Sequence, residues 1–121
     1  MLLAENALRE TNERLPILGS ACLGFPFHAP KKNPKNRLDH LEKLTQPLLI
    51  VQGTRDALGT QEEVNGYIQA KKINASIQMR WLEDGDHNLK PRKASGFSYQ
   101  QHIDNAIEQT AKFVLKLHQH K

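Results

Sequence analysis

One cysteine, Cys22, in a chain of 121 residues rules out an intrachain disulfide, so a packed core has to hold the fold. Long apolar runs are missing too. The longest, residues 48–51, falls far short of the roughly 18 residues that cross a bilayer. The N-terminus MLLAENALRE has no basic stretch followed by a long apolar one, so neither a membrane partner nor a secretory signal is expected. A lone cysteine without such a signal suits a reducing compartment, and the expected location is cytoplasmic. Charge of one sign is only slightly in excess: 17 Lys+Arg against 13 Asp+Glu give a net +4. With 38% hydrophobic residues, this composition is neither disordered nor fibrous. The length allows one small core, hence a single domain over residues 1–121.

What is present alternates between two periods. Residues 2–15 space Leu3, Ala4, Ala7, Leu8 and Leu15 as an amphipathic helix that Pro16 closes. Residues 17–24 are nearly all apolar or small, as in a strand buried on both faces of a parallel sheet, and this strand reads as central. A loop rich in Pro and Lys follows, then a short helix over residues 37–44 with Leu38, Leu41 and Leu44 on one face. A second continuous strand spans residues 47–52. Thr60 and Glu63 form a capping-box pattern that opens a helix over residues 60–71. Ile77, Met79 and Trp81 then alternate with Gln78 and Arg80, the mark of an edge strand with one wet face. Trp81 reads as core. Ser98 and Gln101 suggest a second capping box, before a stripe of Ile103, Ala106, Ile107, Thr110, Ala111, Val114 and Leu117.

Helix and strand in this alternation imply an α/β protein: a three-stranded parallel sheet in three α/β/α layers with right-handed crossovers. The first strand has no earlier strand to pair with, which leaves a flat apolar edge that natural sheets normally cover. The chain reads as half of a larger sheet.

Ligands in open parallel sheets bind beyond the carboxyl ends of the strands. After the second strand comes Gly53-Thr-Arg-Asp56, and after the third Asp84-Gly-Asp-His87. Taken singly, Asp56 could be a turn residue and His87 a loop histidine. Together, a carboxylate after one strand and an imidazole after the next follow the acid-then-base order of α/β-hydrolases. The runs Gly24-Phe-Pro-Phe-His28-Ala-Pro30, Gln52-Gly-Thr-Arg-Asp56 and Trp81-Leu-Glu-Asp-Gly-Asp-His87 make the chain resemble the C-terminal half of an α/β-hydrolase. The group is one of small hydrolases of dienelactone-hydrolase-like build, and the resemblance covers nearly the whole chain. It implies an ester-type hydrolase with Asp56 as the triad acid, His87 as the triad base, a small ester-like substrate and no cofactor or metal. It also implies that the Gly-x-Ser-x-Gly elbow and oxyanion loop precede this segment, since no such motif occurs in it.

Other residues admit two readings. Ser20-Ala-Cys22-Leu-Gly24 has the spacing of a nucleophile elbow, but Pro26 and Pro30 break any helix there, so Cys22 is expected as a buried small hydrophobe. His28, after the first strand, is a candidate substrate-binding residue or a loop histidine fixed by hydrogen bonds. His118 and His120 lack a third ligand at metal spacing. The basic segments around Lys31, Lys32, Lys35 and Arg37 and around Lys90, Arg92 and Lys93 lack interleaved aromatics for stacking bases. They read as solvated loops on the active-site side, able to attract an anionic substrate, and a nucleic-acid partner is not expected. The alternative function is a non-catalytic interaction domain with a basic polyanion-binding surface. It would associate with itself, or with a missing N-terminal half, through the first strand.

Overall fold

The computed structural model describes residues 18–119. The helix expected over residues 2–15, the start of the first strand at Ile17, and His120 lie outside the described residues. The elements are β1 (Ser20–Leu23), α1 (Lys35–Lys43), β2 (Leu48–Gly53), α2 (Gln61–Gln69), β3 (Ile77–Leu82), a 3₁₀ turn (Lys93–Ser95) and α3 (Tyr99–Gln119). The strands form one parallel sheet in the order β1-β2-β3, with Ser20 opposite Leu48 and Leu48 opposite Ile77.

β2 is buried at every residue and divides the core by its alternation. Leu48 and Ile50 face Cys22, Phe27, Leu38, Leu41 and Val64, so α1 and α2 cover that side. Leu49 and Val51 face Leu82, Leu89, Ala106 and Phe113, so α3 covers the other. The result is the expected three-layer α/β/α arrangement. Trp81 packs against the first of these clusters.

The local rules explain the boundaries. β1 stops at Leu23 because Gly24 adopts φ +78°, which leaves the extended region. Helix α1 begins two residues earlier than expected, since Pro34 presets the helical φ and Asn33 Oδ1 accepts the Lys35 amide at 2.8 Å. At α3 the capping box closes in both directions, Gln101 N to Ser98 Oγ at 3.1 Å and Ser98 N to Gln101 Oε1 at 2.7 Å.

Two expectations need correction. Among the described strands the centre is β2, and β1 lies at an edge with Leu23 41% exposed. Its apolar run is accounted for by two-sided covering, Cys22 toward one core cluster and Ala21 toward the other. The buried row of α3 is also turned from the expected stripe. His102, Ala106 and Phe113 face the sheet, whereas Ile107 and Val114 are 61% and 54% exposed. The rotation is fixed at the first turn, where His102 Nε2 meets the Glu83 carbonyl at 2.7 Å and its ring lies 5.2 Å from that of Phe97.

Candidate active site

The carboxyl ends of β2 and β3 bring Asp56 and His87 together. Asp56 is fully buried and follows β2 by three residues, in a turn whose backbone closes on itself through Asp56 N to Gly53 O at 3.1 Å. One carboxylate oxygen, Oδ1, accepts the Leu58 amide at 2.8 Å. The other, Oδ2, lies 2.8 Å from His87 Nδ1. The ionised acid is acceptor-only, so Nδ1 carries the proton in this contact and Nε2 is left with its lone pair. The His87 side chain is 41% exposed, and no described residue bonds Nε2. The pair can therefore accept a proton from an incoming hydroxyl while the buried carboxylate stabilises the imidazolium that forms.

Two glycines make room for this contact. A Cβ on Gly53 would overlap the Gly85 carbonyl and stand 2.6 Å from the Asp86 oxygen. A Cβ on Gly24 would lie 2.5 Å from the His87 carbonyl, at a φ that other residues rarely adopt. The histidine loop thus rests directly on the ends of β1 and β2. Its far side is pinned by Leu89, which holds φ +70° with its side chain buried in the α3-side core.

The loop of residues 25–30 is fixed by groups that no periodicity reveals. Buried Gln52 accepts the Phe25 amide at 2.7 Å and donates to the Phe25 and Gly59 carbonyls at 3.0 and 3.1 Å. Both ring nitrogens of His28 are engaged, Nδ1 with the Ala29 carbonyl at 2.9 Å and Nε2 with the Glu63 carboxylate. The bond to the Ala29 carbonyl, and after it the Glu63 carboxylate, push the His28 pKa up, against burial. Glu63 also accepts from the Tyr67 hydroxyl, and burial with that carboxylate raises the Tyr67 pKa. Thr60 still caps α2 through the Glu63 amide at 3.3 Å, but the Glu63 side chain is spent on His28 and Tyr67. Only half of the expected capping box therefore forms.

Cys22 is buried within β1, and burial pushes its thiol pKa up. After β1 the chain runs through loop to Lys35 before any helix starts. An elbow needs a strand that turns at once into a helix, so Cys22 does not sit at one. The basic segments are partly occupied: Arg92 pairs with Asp84, and Arg37 donates to the Pro26 carbonyl. Among the described residues no group of three or more His, Cys, Asp or Glu could hold a metal ion, and His118 stands exposed near the end of α3. No described helix is long and apolar enough to cross a membrane.

The protein-family model described as an alpha/beta hydrolase domain matches residues 3–115. No solved structure gives a significant match.

Proposed function

The chain belongs to the alpha/beta hydrolase domain family, and we propose that it supplies the acid and base of an ester-hydrolysing triad whose serine lies ahead of this segment. In this reading residues 1–121 are the C-terminal part of one α/β-hydrolase domain in the cytoplasm, acting on a small ester-like substrate. What supports it most is one contact, the 2.8 Å approach of His87 Nδ1 to buried Asp56 Oδ2 at adjacent strand ends. His87 Nε2 takes the serine proton as the hydroxyl attacks the ester carbonyl, then returns it to the leaving alkoxide. A water then attacks the acyl carbonyl and gives a proton to the same nitrogen, which passes it to the serine oxygen as the acyl C–O bond breaks and the acid leaves. Asp56 keeps the ring in the tautomer that makes both transfers possible. His28 reaches a substrate only through the loop that it fixes, since both its ring nitrogens are taken.

The 121-residue chain should hydrolyse p-nitrophenyl acetate no faster than its His87→Ala variant, because the nucleophile is missing. Histidines cleave such activated esters slowly, so the comparison between variants is the informative quantity. Activity lost equally in His87→Ala and Cys22→Ala would place the nucleophile at Cys22 and contradict this reading.

A second reading, an interaction domain, is favoured by the outer edge of β1, which pairs with no strand among the described residues, and by exposed Leu18, Leu23, Ile107, Val114 and Leu115. Strand edges flanked by apolar side chains recruit further strands. The purified chain is expected to self-associate at micromolar concentration in sedimentation velocity. A soluble monomer that unfolds cooperatively would show instead that this edge and face are covered within the chain.

A further inference from the structure

Asp84 makes no hydrogen bond or ion pair with Asp56 or His87, yet it bonds to the segments that carry both. It closes the base of the histidine loop: its carboxylate accepts the Arg92 amide at 2.8 Å, Arg92 Nε at 3.1 Å from both oxygens, and Arg92 Nη2. Residues 85–91 lie between these two anchors, with His87 near the middle. Arg55 Nε donates its hydrogen to the Asp84 carbonyl at 3.0 Å and forms an ion pair with the same carboxylate at 3.1 Å. Arg55 is the residue immediately before Asp56. The Asp84 amide in turn donates to Thr54 Oγ1 at 2.8 Å, so the acid turn and the base loop are tied twice at one residue.

Asp84 holds φ +63°, a left-handed conformation uncommon outside glycine that aspartate adopts more readily than most residues. The carboxylate is one-tenth exposed, between two guanidinium groups that are 36% and 65% exposed. A planar fork on a carboxylate fixes orientation as well as distance, which a lysine in place of Arg92 would not do.

We propose that Asp84 is a positioning residue that sets the approach of His87 to Asp56 by clamping Arg92 and Arg55 from one carboxylate. The proposal rests on the triad reading above, and the test separates the two. The His87 Nδ1–H proton, held against Asp56, should give a slowly exchanging downfield resonance in the NMR spectrum of the 121-residue chain. Asp56→Ala should abolish it. If the unmodified chain shows no such resonance, the triad pairing itself fails, and the positioning role fails with it.

Given the resonance, Asp84→Asn and Arg92→Lys should each remove it or bring it into rapid exchange with water, while the far-ultraviolet circular dichroism stays that of the unmodified chain. A purely structural role for Asp84 predicts a lower urea midpoint with the His87 signal intact, and that result overturns the proposal. Arg92→Lys preserves charge and the buried carboxylate, so it decides the question even if Asp84→Asn fails to fold. Retention of the signal in a folded Arg92→Lys chain would equally overturn it.

Discussion

Asparagine in place of Asp56 is expected to lower turnover of the serine-bearing polypeptide by about 10⁴-fold with the fold intact. The direction follows from the second bond that Asp56 makes. Its Oδ1 accepts the Leu58 amide at 2.8 Å, and an asparagine keeps that bond only by placing its oxygen there. The amide nitrogen then points at His87 Nδ1, presenting a donor where the carboxylate presented an acceptor. His87 must respond by carrying its proton on Nε2, the nitrogen that has to accept one from serine. Steady-state kinetics on a p-nitrophenyl ester measure the loss, and the ¹⁵N shifts of the imidazole report the tautomer in the same variant. A folded Asp56→Asn protein with near-normal turnover would remove Asp56 from the reaction.

Alanine in place of Gly53 is expected to cost about 3 kcal/mol, the upper end of what overpacking a tight site costs. The new Cβ would meet backbone, the Gly85 carbonyl and the Asp86 oxygen, and not the far end of a side chain that could swing away. Relief requires β2 and the histidine loop to separate, which strains the Thr54 N to Leu82 O and Arg55 N to Gly85 O bonds of 3.1 and 2.9 Å. For a domain of this size that loss lowers Tm by roughly 10 °C. Gly66→Ala is the control: nothing lies within 4 Å of its Cβ position, in an exposed part of α2, so helix propensity makes it neutral or stabilising by up to about 1 kcal/mol. Equal midpoints for the two variants in thermal unfolding would show that the loop does not rest on Gly53.

Much of this was legible in the residues because it depends on local pattern. The apolar run at the second strand, the alternation at Ile77, Met79 and Trp81, and the caps at Thr60 and Ser98 each act within a few positions of chain. The meeting of Asp56 and His87 could be anticipated because parallel strands deliver their carboxyl ends to one side of a sheet. The rest depends on contacts across long sequence separations. Glu63 satisfies a cap three residues away by its amide, but its side chain belongs to His28, 35 residues distant. The rotation of α3 was hidden for a similar reason. Two apolar rows run along that helix, and the one that faces β2 is the one that buries Ala106 and Phe113 and carries the bond from His102 to Glu83. Gln52 closes the expected second strand, and nothing local indicates that its amide ties two loops together at no solvent exposure. Asp84 read as one of two acids beside a histidine, and only the fold brings Arg55 to it.

If Asp56 and His87 serve a serine outside these 121 residues, a serine-directed fluorophosphonate probe applied to the polypeptide extended upstream of Met1 in its own reading frame will report it. Covalent labelling is expected at a serine within a Gly-x-Ser-x-Gly motif of the extension, lost in His87→Ala and absent from the 121-residue chain. An extended polypeptide that takes no label, or whose label survives His87→Ala, would contradict it.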